Sequence, residues 1–186
     1  MPLAGARGSV GAGLCSRALF RYAGAMGEPI AYLLTWPTYG TWLHGDGRGS
    51  VDREHNIPGT PLIPADARRA LRESARLKHK PVRLDEKSRQ IVGEAIADHC
   101  RQRGWELSAM AVRTSHVHVV VGVSDRAPER MLGELKAWAT RRLRAAGRLA
   151  PKDRVWAYHG STRYLWDTRG LNAAIAYVAE GQDVPR

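Results

Sequence analysis

The sequence predicts an α+β fold, a ferredoxin-like antiparallel sheet with helices packed on it. Its hydrophobic periodicities run in the order strand, helices, strand, strand, helix, strand, helix. The run His116 to Val123 is apolar on both faces, which marks a central strand, and a turn at Arg113 to Ser115 sets it in hairpin relation to the strand before it. A chain of 186 residues with 44% hydrophobic side chains is enough for one packed core and one modest domain.

Each element has a local reason. Ile30 to Trp36 (IAYLLTW) is β-branched and aromatic and is ended by Pro37, as a buried strand should be. A long loop punctuated by Gly and Pro follows, with Trp42, His44, Arg48 and Arg53 as side chains suited to stacking on bases and holding phosphates. Pro64 to Lys80 reads as a helix exposing Arg68, Arg69, Arg72 and Arg76, and Pro81 stops it. A second helix runs from Asp85, its N-cap, to Arg103, burying Ile91, Val92, Ala95, Ile96 and Cys100, with Gly104 placed as its C-terminal cap. Trp105 to Val112 and His116 to Val123 are the hairpin strands. Pro128 to Gly147 is a third helix, lined on one face by Met131, Leu132, Leu135, Trp138, Ala139 and Leu143. Ser161 to Asp167 alternates as a strand does, and Leu171 to Glu180 is the last helix. Residues 1 to 25 carry three arginines, no acid and no periodicity, so they are expected to lie outside a domain spanning residues 26 to 186, with Met26 as an alternative start.

Charge narrows the partner. With 29 Lys and Arg against 18 Asp and Glu the net charge is +11, which suits a polyanion and favours nucleic acid over an anionic membrane. Lys136, Arg141, Arg142, Arg144 and Arg148 give the third helix and its exit a single-signed surface for phosphates, with Trp42 as a stacking partner. No stretch approaches the roughly 18 apolar residues a membrane span needs. Cys15 and Cys100 form neither a disulfide framework nor a metal pair, which fits the reducing cytoplasm. P-loop, GxSxG and GxGxxG patterns are missing from the sequence.

The chemistry concentrates at His116-Val117-His118. Residues i and i+2 of a strand project to one face, so both imidazoles converge on one metal ion or phosphate; the alternative is a pair of core histidines. Barrel metallohydrolases with HxH need roughly 250 residues. Two-histidine phosphoesterases need a second HxT or HxS element; His159-Gly160-Ser161 has that spacing, without a strand pattern around it to aim the pair. On its own residues, Tyr177 between Ala176 and Val178 reads as core.

Taken in order, Thr35-Trp36, Thr38-Tyr39-Gly40-Thr41-Trp42-Leu43, the His116 and His118 pair, Lys136, Gly160 to Trp166 and Tyr177-Val178 resemble the single-tyrosine HUH transposases, in particular the REP-associated tyrosine transposases. The resemblance covers residues 28 to 186. It implies an HUH-type α+β fold in which the histidines bind Mg²⁺ or Mn²⁺ at the scissile phosphate of single-stranded DNA, usually beside a hairpin. It also implies that Tyr177, 61 residues after His116, attacks to leave a 5′-phosphotyrosine and a free 3′-hydroxyl, with Tyr158 and Tyr164 as substitutes. The family places a Gln or Asn metal ligand four residues after the tyrosine, and this chain departs from it with Gly181; Gln182, then Glu180, are the candidates instead. The family context admits a homodimer. The competing readings are a domesticated DNA-binding protein without strand transfer and a nuclease that uses metal-activated water.

Overall fold

The computed structural model describes residues 27–47 and 63–180. The segment 1 to 25, Arg48, Arg53 and Gln182 lie outside the described residues. The elements are β1 (Ala31–Pro37), α1 (Ala67–Ala75), α2 (Glu86–Arg103), β2 (Leu107–Val112), β3 (His116–Gly122), α3 (Pro128–Ala145), β4 (Ser161–Leu165) and α4 (Thr168–Glu180), in the order the periodicities predict.

The sheet order is β2-β3-β1-β4 and each neighbouring pair is antiparallel, the ferredoxin-like arrangement. Strand alternation divides the core in two. Tyr32, Leu34 and Trp36 of β1 and Val117, Val119 and Val121 of β3 pack beneath α2 and α3 with Val92, Ile96, Met131 and Leu135. Ala31 and Leu33 of β1, Val120 of β3 and Leu165 of β4 face the other way, under Ala174 and Val178 of α4. Each large side chain buried here contributes about 1.5–3 kcal/mol of hydrophobic stabilisation. The strand His116–Gly122 is therefore central, with Val117 to Val121 covered on both faces, and the run expected to reach Val123 ends one residue earlier, Val123 being exposed.

Helix ends follow their caps. Asp85 accepts from the Ser88 amide at 2.8 Å, and Gly104, at φ 67°, closes α2 in the left-handed conformation. Cys100, near that end, is 1% exposed, and burial pushes its thiol up to about 11. The expectation of a helix over Pro64 to Lys80 is corrected to Ala67–Ala75. Asp66 accepts from the amides of Arg68 and Arg69 at 2.9 and 3.0 Å and so fixes the start, while Lys78 donates its amide to the Tyr39 hydroxyl at 3.1 Å and is held out of the helix. The last helix starts earlier than its periodicity suggests, because Asp167 accepts from the Gly170 amide at 2.6 Å. The strand expected over Ser161 to Asp167 begins at Ser161, paired with Thr35, and ends at Leu165. Among the described residues no helix is long and apolar enough to cross a membrane.

Gly160 brings the chain into β4 through a narrow gap. A Cβ there would stand 2.7 Å from the Thr35 carbonyl oxygen and 2.8 Å from Leu132 Cδ1. Gly160→Ala should therefore lower the urea midpoint, by about 1–3 kcal/mol in free energy. Gly133→Ala, in the exposed face of α3 with nothing within 4 Å of its Cβ, should raise it by about 0.5–1 kcal/mol. Equal effects of the two substitutions would contradict this packing.

Candidate active site

Central position and strand period fix the histidines. His116 and His118 project to the α4 face of the sheet, their ring centroids 4.8 Å apart at 82°. In the β1–β3 register Thr35 lies opposite His118 and Pro37 opposite His116. Thr35 Oγ1 stands 2.8 Å from His118 Nδ1, and Ser115 Oγ 3.1 Å from His116 Nδ1. A hydroxyl at each Nδ1 fixes the ring, and with the proton on Nδ1 it makes Nε2 the ligand atom. The turn before His116 is held equally firmly. The Ser115 carbonyl accepts from the Thr38 amide at 2.8 Å, from Thr38 Oγ1 at 3.1 Å and from Thr41 Oγ1 at 3.0 Å.

Sequence reading gave Thr35, Thr38, Thr41 and Ser115 no role at the site. The available signal was a hydroxyl residue directly before the HxH and threonines flanking Pro37 in the opposing strand.

Tyr177 reaches the pair from α4. Ala174 and Val178 are that helix's buried residues, while Tyr177 stands on its flank, 37% exposed, its ring 5.6 Å from His118 at 85°. The reading of Tyr177 as a core residue is thus corrected: Val178 fills the core, and the tyrosine borders the histidines. Tyr164 lies on the opposite sheet face against Tyr32 and Trp166, and Tyr158 packs on His159 in the exposed approach to β4. Of the three tyrosines considered, Tyr177 is the one in ring contact with the pair. Glu180 ends α4. Among the described residues no third His, Cys, Asp or Glu joins the two imidazoles as a cluster.

The basic side chains of α3 are mostly turned to internal work. Lys136 donates to the carbonyl oxygens of Ala157 at 2.8 Å and Tyr158 at 3.2 Å, and desolvation pushes its ammonium down to about 8. Arg142 pairs with Asp98 of α2 at 3.0 Å, and Arg148 pairs with Asp85. Arg144 donates to the Asp153 carbonyl at 3.4 Å, and the Arg141 guanidinium lies over the Trp138 ring at 5.7 Å. Lys136 and Arg144, with Lys152, Arg154 and Tyr158, frame a cleft of about 430 Å³ on the α3 side of the sheet, away from the histidine face. Trp42, 39% exposed, lies in the turn after β1.

No family model matches the chain, and no curated protein matches it. Among solved structures it is similar to a REP-associated tyrosine transposase bound to a REP hairpin, at 14% identity over 86% of this chain and 70% of that one, with a TM-score of 0.47. It is also similar to a candidate transposase from Deinococcus radiodurans R1, at 16% identity over 89% of this chain and 100% of that one, with a TM-score of 0.48. Both TM-scores lie below 0.5, and the functional reading rests on the site geometry and the order of the motifs.

Lys136 yields a pH dependence of definite sign. In the unfolded chain it keeps its proton up to its ordinary value of 10.5, whereas in the fold it loses it at about 8. Between these values the unfolded state binds the extra proton, so this residue's contribution to stability rises with pH and levels off above 10.5. The neutral amine still donates to both carbonyls. Urea unfolding of the native protein and of Lys136→Met, on either side of that window, should show a rise for the native protein relative to the variant; a relative fall would contradict the assignment to burial.

Proposed function

We propose that this protein cleaves and rejoins single-stranded DNA as a metal-dependent transposase, with Tyr177 as nucleophile. One observation carries the reading: a strand-borne histidine pair, each Nδ1 held by a hydroxyl, with a half-exposed tyrosine ring against His118. The motif order of the sequence supports it.

The donor set fits a divalent ion as half a site. His116 and His118 would hold it through imidazole nitrogen, a donor that suits Mn²⁺ better than Mg²⁺, and substrate oxygens with Gln182 or Glu180 would complete the coordination. When bound, such an ion polarises the scissile phosphate. The protein's own part is positional and nucleophilic. Thr35 and Ser115 keep the imidazoles aimed, and α4 carries the Tyr177 ring against His118. Attack of that oxygen on phosphorus forms the phosphotyrosine bond and breaks the bond to the 3′ oxygen, which leaves as the 3′-hydroxyl after taking up a proton. The phosphodiester energy is kept for rejoining, so no nucleotide is consumed. Of the basic run, Arg141 and Arg144, with Trp42, are assigned to holding DNA away from the reacting phosphate, while Lys136, Arg142 and Arg148 are engaged within the fold.

Tyr177→Phe removes one hydroxyl and should keep fold and DNA affinity while forming no covalent adduct on incubation with single-stranded DNA and Mn²⁺. Mass spectrometry of the native adduct should place the phosphate on Tyr177; a phosphate on Tyr158 or Tyr164 would move the assignment, and cleavage without adduct would favour attack by water. His116→Ala and His118→Ala should each abolish divalent-dependent cleavage with most DNA affinity retained. Binding without cleavage by the native protein would favour the domesticated DNA-binding reading.

A further inference from the structure

We infer that α1 is a docking surface for the nucleic-acid backbone, built onto the histidine end of the sheet. This goes beyond the tyrosine chemistry and rests on the proposed function only for the class of partner.

The helix is unusual for what it does not bury. None of its residues is buried, and Leu71 is 71% exposed. A helix of nine residues has little stability of its own, so its order comes from how it is attached. Its first turn rides on Gly45, at φ 91°, where an added Cβ would stand 2.4 Å from the Asp66 carbonyl oxygen and 2.9 Å from the Ala70 nitrogen. The Asp66 amide donates to the Gly45 carbonyl at 3.0 Å, and the Asp66 carboxylate caps the helix. The Tyr39 hydroxyl holds the exit of the helix through the Lys78 amide. Gly45 and Tyr39 belong to the turn after β1, whose Thr38 and Thr41 are bonded to the Ser115 carbonyl immediately before His116. A helix that contributes no core is thus fixed by backbone contacts close to the proposed reaction centre.

Its charge is strongly positive. Within residues 64–80, Arg68, Arg69, Arg72, Arg76, Lys78 and Lys80 are set against two acids, Asp66, whose carboxylate is engaged as the cap, and Glu73, which pairs with Arg76 at 3.4 Å. Among the described residues Arg68, Arg69 and Arg72 have no carboxylate partner, in contrast to Arg142 of α3 and Arg148 just beyond that helix. Arg68 and Arg72 lie one helical turn apart, about 6 Å along the axis, a spacing that lets successive guanidinium groups follow a phosphate chain. A membrane-surface helix would need a continuous apolar face; here that face is Ala67, Ala70, Leu71 and Ala75, with no aromatic residue. The complementary partner is a nucleic-acid strand whose phosphates pass along α1 towards the histidines.

The test replaces Arg68, Arg69 and Arg72 together by Gln in the full chain and measures binding of a fluorescent DNA single strand by anisotropy over a series of salt concentrations. Affinity should fall roughly 100-fold at about 0.1 M salt, and the slope of log K against log salt should shrink by about 2, the loss of three single-strand phosphate contacts. The triple Lys variant should stay near the native affinity, since it keeps the charge. Unchanged affinity and slope in the Gln variant would overturn the inference, as would an equal loss in the Lys variant. Vesicles containing phosphatidylserine, bound by the native protein and released by the Gln variant while DNA affinity holds, would overturn it in favour of a membrane. The Gln variant retains His116, His118 and Tyr177, so at saturating DNA it should still form the adduct. A native protein that binds DNA through α1 yet forms no adduct would sink the chemistry alone, and one that binds no DNA would sink both.

Discussion

A polar ring in the middle of a central strand must be hydrogen-bonded or the fold carries its desolvation cost, and the Thr35–His118 bond meets that demand here. His118 is 5% exposed. Its partner comes from the neighbouring strand at the one register in which Thr35 faces it, and a slip of one residue would present a core side chain of the other face instead. The same register sets Tyr32, Leu34 and Trp36 beneath α2 and α3, so the packing of one sheet face and the polar satisfaction of the other are decided by a single alignment.

What could be read from the sequence was what local pattern controls. The valines of β3, the Asp85 and Gly104 caps of α2 and the proline start of α3 all announce themselves within a few residues, and the topology follows from their order. The His116 and His118 pair was legible for the same reason, as an alternation within three residues. Other features depend on distant partners. Nothing near Arg142 or Arg148 reveals Asp98 or Asp85, so a single-signed run read from the sequence turned out in the structure to be partly the seam between two helices. Lys136 looks like a surface lysine until the Ala157 and Tyr158 carbonyls are brought over it. The length of α1 departs from its periodicity because its limits are set by the Asp66 cap and by Tyr39.

The two sheet faces consequently do different things. The α2 and α3 side holds most of the large apolar residues and the ion pairs that join those helices, and its job is stability. On the α4 side the cluster is smaller, and the histidine pair with Tyr177 occupies its margin. Placing the polar rings where the apolar cover thins keeps His118 buried and rigidly oriented while the Tyr177 ring beside it stays partly exposed, the combination that a preorganised reacting site needs.

The position of β1 has a consequence for how the chain acquires its structure. β1 pairs with no strand near it in sequence: Ala31 lies against Gly122 on one side and Leu165 on the other. As the polypeptide is synthesised, β1 must wait through the whole of α1, α2 and the β2–β3 hairpin before the first of those neighbours exists, and through α3 before the second. Contacts so far apart in sequence close slowly and leave strand edges exposed meanwhile. Nascent chains that end between β3 and β4 would therefore carry β1 with one open edge, a species prone to aggregate or to recruit a chaperone, and the sheet that orients the histidines is complete only shortly before α4 brings in Tyr177.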